Sequence, residues 1–383
     1  MADDWDPFAV ADAPEDVASV VTKAAPDCRP TAADRAFLAK TLCDILTKEA
    51  PWAPGPKTTP DVQWYTPTHD GSNWAHEDVK LEISQGIAYV IFNRASENNT
   101  MNDTLNHGLS DAIYALHARP DIRVAVFTGE GRMYCAGGDP KAWQAAAKRA
   151  RGEQVDGDGT VGVRVPAKPQ SLEVYTHLTR LHTKASRSGI FRTSPELSRL
   201  TTAKQWHTWS TLPQFTISLV NGSAMGGGVG CICVCDYVIA LRKAFIVLSE
   251  VKIGVIPATI SPYVIAKMGT SNAKRLFCTA ENMKADRAKE VGIVDEVVDR
   301  IEHGHARVKE ICKLISACGP NSVIGAKDVC LAVSGQPIAE PLMFYLAGRQ
   351  AVASTSEEAK LGGEAERAKK PKPWESQPII PLY

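Results

Sequence analysis

The chain predicts an α/β fold built on largely parallel sheets, and three observations carry that expectation. Short apolar runs of strand length alternate with amphipathic helical stretches from Val79 onward. Two of those runs end in glycine-bearing turns that lead toward helices. Beyond about Thr270 helical patterns dominate and strand patterns fade. At 383 residues the chain is long enough for a sizeable core.

In order along the chain, "VKLEIS" and "IAYVIF" read as paired strands, because apolar residues recur at short spacing with no helical stripe. "NDTLNHGLSDAIYALHA" reads as an amphipathic helix, and "IRVAVFTG" as a buried strand. The rhythm returns in "FTISLV", a glycine-started helix, "DYVIAL" and "AFIVLSE". Residues 1–76 read as an appended element: a helix over roughly Thr31 to Lys48, the Pro-rich "APWAPGPKTTPD", and a linker. Residues 77–269 form the core, interrupted by an insertion over about 142–212. In that insertion "RGEQVDGDGTVGVRVPAKPQ" reads as an exposed loop, and "SLEVYTHLTRLHTK" and "SPELSRLTTAKQWHTWSTL" as helices. Residues 270–383 read as a helical region that ends in the polar tail "RAKKPKPWESQPIIPLY".

Composition excludes several function classes. Basic and acidic residues balance at 43 each, which gives no electrostatic argument for nucleic acid or an anionic membrane surface. The longest apolar run, Phe215 to Leu241, is broken by Asn221, Asp236 and glycines, so it reads as strand, turn, helix and strand, with no membrane span. The ten cysteines are scattered, and Cys231, Cys233 and Cys235 lack the spacing of common zinc sites. His177, His182, His207, His303 and His305 form no metal-ligand pattern, so no metal is expected. The acidic start shows neither a signal peptide nor a transit peptide, and a reducing, cytoplasm-like compartment is the expectation.

The chemistry-bearing segments are the two glycine turns, "FTGEGRMYCAGGDPKAW" and "VNGSAMGGGVG". Three consecutive glycines forgo side-chain packing and backbone entropy, so they belong where something must approach the bare backbone. Neither turn is a P-loop or a dinucleotide fingerprint. Two N–H donors supplied by separate loops are what a developing oxyanion needs.

Several ordered motifs, "NNTMND", "FTGEGRMYCAGGDPK", "VNGSAMGGGVG", "CDYVIA", "FIVLSEVKIGVIP" and "KADRAKEVGIVDEVV", resemble the crotonase superfamily, the enoyl-CoA hydratase/isomerase family. The resemblance runs from about Val79 to at least Val298. It implies a crotonase-like spiral of strand-strand-helix units, a helical C-terminal region used in trimerisation, and often hexamers made of two trimers. It implies an acyl-CoA thioester substrate, with coenzyme A arriving as part of that substrate and no separate cofactor. By motif position, the thioester oxygen would lie between the amides of Gly138 and Gly227. CoA would run along Asn98, Thr100, Met101, Cys135, Gly137 and Asp139, although Asp139 reads equally well as a helix cap.

Glu250 matches the family's glutamate ahead of the "GVIP" turn and is the expected acid-base group. The second glutamate of the family's two-carboxylate hydratases falls on Gly230, and this is the main departure from the pattern. The segment "LSEVKIGVIPATISPYVIAKMG" is similar to a branch that acts on branched or carboxylated enoyl-CoAs, such as methylglutaconyl-CoA hydratase. A hydratase is therefore the first expectation and an enoyl-CoA isomerase the second. Another enolate chemistry, such as decarboxylation, comes third, and a non-catalytic acyl-CoA-binding or scaffold protein is the alternative of another class.

Overall fold

The computed structural model describes residues 74–75, 77–141, 144, 148 and 195–383. The helices expected over Thr31–Lys48 and in "SLEVYTHLTRLHTK", and the loop "RGEQVDGDGTVGVRVPAKPQ", lie outside these residues. The chain divides into two compact units, residues 54–337 with 349–383 and residues 1–53 with 338–348. All of the site described below belongs to the first.

Paired strands open the described chain: β1 (Trp74–Ala75), β2 (Val79–Ser84) and β3 (Ile87–Phe92). Helix α1 (Asp103–His117) follows, its first turn closed by Asn102, whose Oδ1 accepts from Leu105 N at 2.8 Å. Such a cap contributes about 1 kcal/mol. Next come β4 (Val124–Gly129), β5 (Met133–Cys135), α2 (Pro195–Ser210), β6 (Phe215–Val220), β7 (Ser223–Met225) and the short α3 (Gly227–Cys233). The chain goes on through β8 (Tyr237–Leu241), β9 (Phe245–Val247), α4 (Ser261–Thr279), β10 (Met283–Lys284), α5 (Ala285–Glu290) and β11 (Glu296–Val298). Helices α6 (Ile301–Ser316), α7 (Pro320–Val333), α8 (Glu340–Ser354) and α9 (Glu357–Ala368) complete it.

Among the described residues the strands form a seven-stranded sheet, β1-β2-β3-β4-β6-β8-β11, and a four-stranded sheet, β10-β9-β7-β5. From β3 to β11 every pairing in the larger sheet is parallel, so each crossover carries the chain to the smaller sheet or a helix and back. This is the expected strand-strand-helix spiral. The apolar run from Phe215 becomes β6, β7, α3 and β8, and among the described residues no helix is long and apolar enough to cross a membrane. Cys231, Cys233 and Cys235 are free, buried thiols on and just after α3.

The structure corrects one sequence expectation. Helix α2 is expected as part of an insertion, yet Trp206 and Trp209 at its C-terminal end are core residues, 1% and 0% exposed. Their rings stack at 5.8 Å, and Trp209 meets Phe127 of β4 at 4.3 Å. Two buried indoles contribute up to roughly 4–6 kcal/mol each, so α2 is integral to the fold.

Along "VKEICKLI" of α6, Val308, Ile311 and Cys312 pack within the chain among Leu219, Ile239 and Val126. Leu314 alone of that stretch is a strongly exposed large apolar residue. The polar tail returns to the spiral. Ile379 is buried, and Ile380 N donates to Gln85 O at 2.9 Å.

Candidate active site

The two glycine turns meet backbone to backbone. Strand β5 delivers the chain into Ala136–Asp139, where Met101 N donates to Gly137 O at 2.7 Å and Asp139 N to Met101 O at 3.1 Å. This parallel bridge joins Met101 to Gly138. Strand β7 delivers the chain into the triple glycine, and Gly226 N donates to Val247 O of β9 at 2.9 Å. A Cβ on Gly137 (φ +85°) would stand 2.5 Å from Met225 O and 3.2 Å from Gly227 N, so no side chain fits between the turns.

Each member of the triple glycine has its own reason. Gly226 sits at φ +50°, which an L side chain resists, and a Cβ there would point at Glu250 Oε1, 3.2 Å away. A Cβ on Gly227 would meet Met101 Sδ at 3.2 Å and stand 4.0 Å from Gly138 N. One on Gly228 would overlap Cys135 O at 2.2 Å. The bare backbone is needed for packing as well as for access.

Beside the turns lies a cavity of about 500 Å³. Gly138 and Gly227 line it together, with Met101, Glu250, the apolar segment 254–260, Asn106 and two residues of α2, Thr202 and Trp206. Among the described residues, no turn, loop or cap hydrogen bond uses the Gly138 or Gly227 N–H as donor. Two amides from separate loops thus border one cavity.

Glu250 opens a single helical turn, Glu250–Ile253, directly after β9. It is only 6% exposed, and its Oε2 is buried with no hydrogen-bond partner among the described residues. Burial pushes its pKa above the ordinary carboxylate range, and a contact with its own backbone amide pulls the other way. A buried carboxylate oxygen left without a cation or donor is costly, and a raised pKa beside a cavity marks a proton-transfer candidate.

Of the sequence-predicted residues, Gly138, Gly227, Glu250 and Met101 line the cavity, whereas Asn98, Thr100, Cys135, Gly137 and Asp139 do not. Asn98 is half-buried in the left-handed region (φ 55°), its Oδ1 accepting from Arg132 Nε at 3.1 Å. Thr100 contacts the Arg94 guanidinium through its carbonyl and hydroxyl oxygens. Cys135 is fully buried. Asp139 Oδ1 accepts from Lys141 N at 2.9 Å, in the helical turn that starts at Pro140, and its Oδ2 pairs with Arg94 at 3.2 Å.

Sequence reasoning missed four residues. Asn99 is fully buried, and its Nδ2 lies within 3.2 Å of the carbonyls of Glu130, Met133 and Tyr134, tying the first turn together. Its sign was the pair "NN", since asparagine tolerates the positive φ (54°) found there. Trp206 and Ile260 occupy the space in front of Gly230: a Cβ on Gly230 would lie 2.4 Å from Ile260 Cγ2 and 3.4 Å from Trp206 Cη2. The second carboxylate position is therefore filled by apolar side chains, which no pattern around Gly230 announces. Asn106 also reaches the cavity from α1.

A family model described as enoyl-CoA hydratase/isomerase matches residues 82–158 and 187–342. The chain belongs to the enoyl-CoA hydratase/isomerase family. Like its relatives in that family, it is an enzyme. It is 28% identical over 232 residues to the hydroxycinnamoyl-CoA hydratase-lyase of Pseudomonas fluorescens, covering 60% of this chain and 69% of that one. Among solved structures it resembles an enoyl-CoA hydratase from Shewanella pealeana (TM-score 0.63, 23% identity, 78% of this chain and 97% of that one). It resembles Pseudomonas aeruginosa AtuE similarly (TM-score 0.62, 25% identity, 78% and 100%). The methylglutaconyl-CoA branch expected from "LSEVKIGVIP" is not singled out by these likenesses; the family as a whole is.

Proposed function

We propose that the chain works on enoyl-CoA thioesters through an enolate, with Glu250 as its single proton carrier, and that a 3-enoyl to 2-enoyl shift is the reaction this geometry favours. The observation that carries this reading is the cavity wall. Glu250 is the one carboxylate lining it among the described residues, and the space ahead of Gly230 is filled by Ile260 and Trp206.

In this reading the thioester oxygen accepts from the Gly138 and Gly227 N–H groups. The Glu250 carboxylate removes a proton from C2 of a 3-enoyl-CoA. The C–H electron pair moves to the thioester oxygen as the enolate forms, stabilised by the two amides. The protonated Glu250 then delivers the same proton to C4, and the double bond settles between C2 and C3. Proton and charge balance with one carboxylate and no water. The raised pKa of Glu250 suits both halves, since the group must take a proton and give it back. CoA would extend from the cavity along Asn98, Thr100 and Met101 and the loop from Cys135 through Gly137 to Asp139.

A second reading, hydration, is favoured by the names of relatives, including the hydratase-lyase above. The same carboxylate would take a proton from water as oxygen adds to C3, then pass it to C2. Incubation with 3-enoyl-CoA and, separately, 2-enoyl-CoA, followed by mass spectrometry of the products, separates the two. Formation of 2-enoyl-CoA from the 3-enoyl ester without hydroxyacyl product is the expected outcome. Accumulation of 3-hydroxyacyl-CoA in place of isomer would replace the first reading by the second. Turnover of neither ester would sink both and favour a binding or scaffold role.

A further inference from the structure

We propose that α8 is a docking face for the chain's own N-terminal extension, and that its occupant is the segment 31–48. The inference is independent of the acyl-CoA reading. Leu342 and Tyr345 of α8 are each only 6% exposed, and Leu346 is half-buried. Spaced three and four apart, these side chains form one stripe along the helix. Met343, Phe344 and Ala347, which point elsewhere around the helix, are exposed.

Leu342 and Tyr345 belong to neither of the two buried clusters that the described residues form. Residues 338–348 instead group with residues 1–53 as one compact unit. The burial of the stripe arises within a single chain, so it needs no second copy. The N-terminal extension is the part of the chain that remains to cover it.

Within that extension, "TAADRAFLAKTLCDILTK" carries the complementary pattern. Leu38, Leu42, Ile45 and Leu46 recur at i, i+4, i+7 and i+8, whereas Lys40, Asp44 and Thr47 fall on the opposite side. A helix of this length and composition is marginal in water unless its apolar stripe is covered. The stripe on α8 offers that cover. The linker, residues 49–73, spans about 80 Å when extended, which reaches any face of a domain of this size. Its run "APWAPGPKTTPD" stops the helix from continuing, because proline lacks the N–H a helix interior needs.

Hydrogen–deuterium exchange read by mass spectrometry tests this on the whole chain. Wild type should protect the amides of 31–48 and of α8 together. Leu342→Asp should speed exchange over 31–48 by about 10-fold or more, and Leu42→Asp should do the same to α8. Either change takes a buried leucine out of the contact and puts an unpaired charge in its place. If the Asp variant fails to fold, Leu342→Ala should shift exchange in the same direction by less. Unchanged exchange over β3 and β4 checks that the core is intact. Exchange over 31–48 at the rate of an unfolded peptide in wild type overturns the proposal. So does a Leu342 variant that loosens α8 and leaves 31–48 untouched. Protection of α8 that appears only where light scattering shows a multimer would assign the face to a second copy, and overturns it as well.

Discussion

Two carboxylates, Asp139 and Glu250, each close one of the turns that build the site, and they are treated in opposite ways. Asp139 is surrounded by partners: the Lys141 amide on one oxygen and the Arg94 guanidinium on the other. Glu250 is as deeply buried, but its Oε2 has no partner among the described residues. A carboxylate with a partner on each oxygen holds a turn in shape and is poorly placed to exchange a proton. One buried beside a cavity without a cation is maintained at a cost in stability, which makes sense where the group must exchange a proton. The comparison teaches that the absence of partners, more than burial, separates the proposed proton carrier from the carboxylate that holds a turn.

The sharpest way to break this contrast is to neutralise each carboxylate without changing its size. Glu250→Gln should lower kcat by roughly 10²–10⁴-fold while the Kd for a CoA ester changes little, because positioned proton transfer is lost and the shape is kept. Asp139→Asn should keep kcat near wild type and lose about 1–2 kcal/mol of stability, since Arg94 loses one of its two carboxylate partners and keeps Asp78. Steady-state kinetics and urea unfolding on both variants check the pair. A Glu250→Gln protein with undiminished turnover, or an Asp139→Asn protein that is stable and inactive, would reverse the roles.

Much of this site was legible in the residues themselves. The triple glycine announces a close approach, and the motif order points to Gly138, Gly227 and Glu250, which the fold brings to one cavity. Strands β3, β4, β6 and β8 follow from runs of apolar residues because buried parallel strands carry that pattern, whereas the three-residue β5 and β7 lie inside the glycine turns and no such run marks them. What stayed hidden depends on contacts between residues far apart in sequence. Nothing local to Trp206 says that it packs in the core from the far side of the insertion. Nothing local to Gly230 says that Ile260, thirty positions on, closes the space before it. A glycine in sequence can be read as a vacancy, and here packing fills it.

That filling gives the next prediction. Gly230→Glu should not restore a two-carboxylate site. Its Cβ would overlap Ile260 Cγ2 at 2.4 Å, and its charge would enter an apolar wall. A loss of roughly 2–5 kcal/mol is expected from overpacking and an unpaired buried carboxylate, with no gain in hydration. Adding Ile260→Ala should recover part of that loss by clearing the overlap. Wild-type stability for the single variant in urea unfolding would show that the space is open after all.

The smallest effect bears on the cost of leaving Glu250 unpartnered. Burial raises its pKa in the folded protein above the unfolded value, so folding favours the protonated form. The stability this confers is fully present below the unfolded pKa and is lost as pH rises through the folded one. Glutamine in its place stays neutral at every pH and carries no such dependence. Wild type and Glu250→Gln should therefore differ least in acid, below the ordinary carboxylate range. The variant should gain relative to wild type as pH climbs through the raised pKa, and the gap should level off once Glu250 is fully ionised. Thermal or urea unfolding of both proteins from acid to neutral pH reads this directly. A gap that does not change with pH, or a variant that loses ground toward neutrality, would mean that Glu250 finds a charge-stabilising partner in solution. The contrast with Asp139 would then dissolve.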